Sequence, residues 1–193
     1  LKEDSMNKTR SALILAASLA LTGVAFAQAK VVPAQSQITF AIKEMGVPVE
    51  GKFSKWTADI AFDPKKPEAG KVAFTIATSS AAFGVPETDA EVPKAEWFNV
   101  AKFPSATFAS TAIKATGGGK FDVAGKLTVK GVTKDVVVPI ALAQAGPTTT
   151  ATGAFTIKRN DFHVGEGEWS DTSQLANEVA VKFKIALTGV APL

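Results

Sequence analysis

His163 is the single histidine of the chain. It stands in Arg159-Asn160-Asp161-Phe162-His163-Val164-Gly165-Glu166-Gly167-Glu168-Trp169-Ser170-Asp171, among the carboxylates Asp161, Glu166, Glu168 and Asp171. An imidazole beside carboxylates can ligate a divalent cation or take a proton from water. One reading is therefore a metal-dependent or hydrolytic enzyme centred on this loop. The ligand set is sparse, because metal sites recruit several strong donors at close spacing. No G-x-S-x-G elbow supplies a serine nucleophile. With no cysteine, thiol nucleophiles and thiolate metal sites are excluded. The plainer alternative is a histidine in a connecting loop.

Lys126, Lys130 and Lys134 punctuate a strand, a glycine turn and the start of a return strand. They could meet a lipid phosphate, but lysines spaced this way on a hairpin are expected to form a solvated face. The whole chain balances 21 basic against 18 acidic residues, a formal charge of +3. That balance argues neither for nucleic acid nor for a strongly acidic partner, and no nucleic acid is expected.

The remaining chemistry is apolar. The chain has 13 phenylalanines and no tyrosine, so its aromatic load carries no hydroxyl. Eight segments alternate with the period of two that marks strands. They are Ser36 to Lys43, Pro48 to Phe62, Lys71 to Ser79, Ser105 to Lys114, the run holding Phe121 to Val129, Lys134 to Ala143, Thr150 to Lys158 and Glu178 to Thr188. In the second, Val49, Gly51 and Phe53 are odd while Trp56, Ala58, Ile60 and Phe62 are even. A parity change inside one strand calls for a bulge or bend, as at a barrel corner. Ala106 and Phe108 against Ile113 imply a second shift of phase. Phe40, Phe53, Phe74, Phe108, Phe155 and Phe183 all fall on inward positions, which fits either a solid core or the wall of an apolar cavity.

Only Pro86 to Asn99 reads as helical, with capping-box spacing at Thr88 and Glu91 and Pro93 opening a second helical piece that ends at Trp97 and Phe98. Eight antiparallel strands with short connections fit a closed barrel better than a sandwich, since closure removes exposed edges. At the N-terminus, Met6-Asn7-Lys8-Thr9-Arg10 is followed by an apolar run from Ser11 to Val24 and by Ala25-Phe26-Ala27. This is the three-part pattern of a secretory signal cleaved after Ala27, with residues 1–5 upstream of it. It predicts a soluble periplasmic protein made of one domain, 28–193.

The order and spacing of several short blocks resemble the YceI-like family of exported bacterial lipid-binding proteins. The blocks are Ser36-x-Ile38-x-Phe40, Gly51-x-Phe53, Ile60-x-Phe62-Asp63-Pro64, Phe98 to Ser110, Gly125-x-Leu127-Thr128-Val129-x-Gly131-Val132-Thr133-Lys134, and Phe155-Thr156-Ile157-x-Arg159-x-Asp161-Phe162. The last strand, from Glu178, completes them. The chain departs from the pattern at His163, where many members carry glycine. The resemblance implies an all-β, eight-stranded antiparallel, lipocalin-like barrel with a short helical insertion between strands 3 and 4. It implies binding of a polyisoprenoid lipid, a polyprenyl phosphate or an isoprenoid quinone tail, for storage or transport, without catalysis, metal or cofactor. A transient contact with a membrane would accompany that role. The implied cavity wall is Ile38, Phe40, Ile42, Phe53, Phe74, Ile76, Phe98, Phe108, Leu127, Val138, Phe155, Ile157, Phe183 and Ile185. Against this stand the His163 enzyme and an interaction module whose barrel is solid.

Overall fold

Period-two alternation closes this chain on itself. The computed structural model describes residues 28–193, so the signal sequence read at 1–27 lies outside them. Among the described residues the strand segments are β1 (Gln28–Val31), β2 (Gln37–Glu44), β3 (Val47–Phe53), β4 (Trp56–Ala61), β5 (Lys71–Ala77), β6 (Ala81–Ala82), β7 (Ser105–Gly117), β8 (Lys120–Val129), β9 (Val132–Ala145), β10 (Thr148–Lys158) and β11 (Leu175–Thr188). Three pairs of them are halves of interrupted staves. β1 and β2 both run along β11, from Lys30 opposite Thr188 to Glu44 opposite Leu175. β3 continues into β4, and β5 into β6 through a short 3-10 turn. The eight staves close through β1, which pairs with both β11 and β4. The expected eight-stranded antiparallel barrel is what forms.

Both expected phase changes are present. Ser54 and Lys55 fall between β3 and β4, so Phe53 and Trp56 can both face inward. Buried Ser80 stitches this break: Lys55 N donates to its Oγ at 3.0 Å, and the hydroxyl donates to Ala77 O at 2.8 Å. On β7 the register slips between Ser110 and Ala112, which carries Ile113 into the core. β1 was not expected from sequence; its four residues follow directly on the supposed cleavage site.

The insertion between the third and fourth staves is shorter in helix than its sequence suggests. α1 spans Pro86–Glu91, with the proline in its first turn. Thr88 lies inside this helix and makes no cap. The Asp89 carboxylate instead reaches back to accept from Phe83 N at 2.6 Å and Gly84 N at 3.2 Å. From Val92 to Phe103 the chain makes turns: Pro93 offers no N–H to continue the helix, and Asn99 at φ 47° lies in the left-handed region further on.

The strand directions put the β2–β3 turn, the 83–104 insertion, the β8–β9 turn and the 159–174 loop at one end, the lid end. The segments 62–70, 118–119 and 146–147 lie at the other. There the most deeply buried side chains gather: Phe62 meets Phe121 edge-on at 5.2 Å, with Ile113, Val123, Ile185 and Leu187 around them.

Candidate functional site: a hollow interior under a clasped lid

The interior between the staves is not filled. A cavity of about 130 Å³ runs through the middle of the barrel and is lined by apolar side chains alone. Ile38, Phe74, Ile76, Phe108, Leu127, Val138, Phe155, Phe183 and Ile185 of the expected set line it. Ile60, Phe62, Val72, Val123, Ile140, Leu142, Val181 and Leu187 also line it, and the same alternation that singled out the others marks them as inward. Phe74, Phe108, Phe155 and Phe183 point inward yet are only half-buried. In a solid core such rings would be covered; here their open faces border the cavity.

Phe40, Ile42 and Phe98 line a second space instead, a mouth chamber of about 260 Å³ beneath the lid. An aromatic layer lies between the two. Phe40 sits 4.9 Å from Phe53 and 5.1 Å from Phe83, and Phe53 sits 6.1 Å from Phe98. Phe53 borders a third opening, in the side of the barrel. Ile157 lines none of these spaces; it packs with Leu127, Val129 and Phe162 at the lid end.

The lid is held by two buried cations. Lys130 was expected on a solvated face, and the structure corrects this: it is 8% exposed. Its φ of 49° in the β8–β9 turn directs the ammonium under the lid. There it donates to His163 O at 2.6 Å, to Glu96 O at 3.4 Å and to Glu166 Oε2 at 2.8 Å. Lys126 and Lys134 are solvated as expected, Lys126 pairing with Asp135 at 2.7 Å. The hydrogen bond and charge of Lys130 hold the Glu166 carboxyl below its ordinary range.

Arg159 is 2% exposed and, among the described residues, has no carboxylate partner. Nε donates to Ala176 O at 2.9 Å, Nη2 to Leu175 O at 2.8 Å, and Nη1 to Asn160 Oδ1, Val164 O and Gly165 O. Burial presses its pKa downward. Gly165 N and Glu166 N both donate to Glu96 O, and Trp97 lies 5.4 Å from Trp169. These contacts clasp the insertion to the late loop. The local sequence of either cation did not show its burial: the partners of Lys130 are 33 or more residues away, and Arg159 needs Leu175 and Ala176 as well as the nearby Asn160, Val164 and Gly165.

His163 is a corner of this clasp. Its side chain is 63% exposed, with Nδ1 at 3.6 Å from Glu166 Oε1. At φ 57° and ψ 31° it occupies the left-handed region that glycine enters freely. His163 thus holds a turn that glycine would enter without strain. Asp161, Glu168 and Asp171 are not brought to it. Among the described residues no three His, Asp or Glu side chains converge where a metal ion could sit.

A sequence model of the YceI-like domain matches residues 30–187, nearly the whole barrel. The chain belongs to the YceI-like family. Relatives include the UPF0312 protein of Pseudomonas savastanoi pv. phaseolicola, 33% identical over 181 residues, covering 88% of this chain and 94% of that one. The UPF0312 protein of Azotobacter vinelandii is 38% identical over 137 residues, 69% of this chain and 71% of that one. Among solved structures, Burkholderia cenocepacia BcnA is 43% identical with a TM-score of 0.79, covering 81% of this chain and 99% of its own. A polyisoprenoid binding domain from Saccharophagus degradans, 16% identical, shares the fold at a TM-score of 0.67, covering 86% of this chain and 99% of its own.

Proposed function

We propose that this YceI-like protein binds a long-chain polyisoprenoid lipid, a polyprenyl phosphate or the tail of an isoprenoid quinone, in its barrel. It stores or carries that lipid in the periplasm and does not transform it. The observation that carries this reading is a cavity walled by apolar side chains alone, with half-buried phenylalanine faces turned to empty space. Such a space stays dry and gains from hydrocarbon, roughly 0.8 kcal/mol for each CH₂ buried before the cost of ordering the chain. The polyisoprenoid binding domain that shares the fold supports the same class of guest. The basic, apolar and small-residue blocks from Met6 to Ala27 support export. No helix among the described residues is long and apolar enough to cross a membrane.

Native mass spectrometry of protein purified from periplasm should find a long-chain isoprenoid, and organic extraction should release it. A His163→Gly variant, which suits the left-handed backbone, should carry the same lipid. Repeated recovery of an empty barrel that takes up no added isoprenoid would overturn the proposal.

A further inference from the structure

The barrel wall is split along one side. Between the rungs Ala29–Ile60 and Ile38–Phe53, residues 30–37 of one stave and 54–59 of the next do not pair with each other. Each rim is fastened outward instead. Val32 N donates to Ala186 O at 2.8 Å, and Ser36 Oγ accepts from Ala186 N at 2.9 Å. On the opposite rim Lys55 N donates to Ser80 Oγ at 3.0 Å and Ala77 N to Lys55 O at 3.0 Å. At about 3.3 Å per residue, the unpaired stretch 54–59 is roughly 20 Å long. The gap holds about 750 Å³.

This gap runs through the sheet. Its walls include neighbours in sequence, Lys52 with Phe53, Trp56 with Thr57, and Ile38 with Thr39. Successive residues of a strand point to opposite faces, so a space touched by both members of each pair connects the two faces. It also reaches the interior. Ile38 lines both the gap and the inner cavity, and the Trp56 ring lies 5.9 Å from Phe74 of the cavity wall.

From this geometry we infer that the split staves form a lateral doorway through which the hydrocarbon chain of an isoprenoid lipid passes between the inner cavity and the outside. The inference rests on the lipid-binding function proposed above. Ile38, Phe53, Trp56 and Ala58 form an apolar inner jamb, while Gln37 and Thr57 form a polar outer lip, a gradient that suits a chain whose inner end stays dry. The route past the mouth chamber crosses the Phe40–Phe53–Phe83–Phe98 layer; the doorway meets the cavity beside it. Because its rims are fastened to their outer neighbours and not to each other, the doorway is open without unzipping a ladder.

The absence of cysteine makes the test direct. Gln37→Cys with Thr57→Cys, both at exposed positions, is bridged after folding by a flexible bifunctional thiol reagent. The control bridges Lys126→Cys to Asp135→Cys, opposite each other on the fully paired β8–β9 wall. Transfer of a dansyl-labelled polyprenol from phosphatidylcholine vesicles to delipidated protein is followed by stopped flow. Bridging the doorway should slow uptake and release by about tenfold or more with little change in affinity, the signature of a gate, and bridging the control should not. Ala58→Trp, which narrows the inner jamb without a cross-link, should also slow both rates. Unchanged rates in the bridged doorway would overturn the inference while leaving lipid binding intact. Failure of the unbridged protein to take up the probe would overturn lipid binding itself.

Discussion

Two phenylalanines of this barrel should respond differently to the same truncation. Phe121 is 4% exposed and packs edge-on against Phe62 at the closed end. Phe121→Ala removes a covered ring and leaves a new void, a change that costs about 3–5 kcal/mol. Phe74 is half-buried, lies 5.9 Å from Trp56, and turns its free face to the inner cavity. Phe74→Ala enlarges a space that already exists. It forfeits the transfer energy of a largely but not fully covered ring, roughly 1.5 kcal/mol, plus about 0.5 kcal/mol for the aromatic pair, or about 2 kcal/mol in all. In a domain of this size each kcal/mol moves the midpoint by about 2–4 °C. The delipidated variants should then unfold about 12 °C and about 6 °C below delipidated wild type. Circular dichroism melts give these values, and titration with a polyprenol gives the affinities. Phe74→Ala should change chain-length preference and Phe121→Ala should not. Equal losses of stability, with both affinities unchanged, would refute the hollow-interior reasoning.

Arg159→Met should destabilise by about 3 kcal/mol or more, because four carbonyls, two buried and two part-buried, lose their donor and the replacement offers none; urea unfolding measures it, and Arg159→Lys should recover only part. The Glu166 carboxyl has its folded pKa held below its unfolded value by Lys130, so its contribution is complete above the ordinary Glu range and is lost as pH falls through the depressed folded value. Amide exchange at Gly165 and Glu166 should therefore stay slow somewhat below the pH where an ordinary glutamate protonates, then accelerate; in Glu166→Gln that acid step should be absent.

Alternation carried most of the architecture. The odd-to-even change between Phe53 and Trp56 is a backbone break written in side-chain parity, and the slip after Ser110 is another. Parity names the inward residues but not what they face. Phe74 and Phe121 both read as inward, and only the three-dimensional spacing of the staves shows that one borders space and the other does not. The lid was least legible for a related reason. Lys130 reads as one of three evenly spaced hairpin lysines, and its burial follows from a left-handed turn and from acceptors at Glu96, His163 and Glu166. Thr88 and Glu91 satisfy the spacing of a capping box, yet the helix starts two residues before Thr88 because Pro86 fixes the first turn and Asp89 satisfies the amides preceding it.

β11 is the keystone of closure. It pairs with β10 on one side and with both β1 and β2 on the other, joining Lys30 to Thr188 across nearly the whole described chain. A chain delivered N-terminus first must hold the outer edges of its first stave unpaired until its final segment arrives. Contacts of such separation make folding slow and leave strand edges exposed meanwhile. Loss of the last strand would accordingly not shorten the barrel; it would leave an open sheet with two sticky margins, a substrate for proteases and for its own copies.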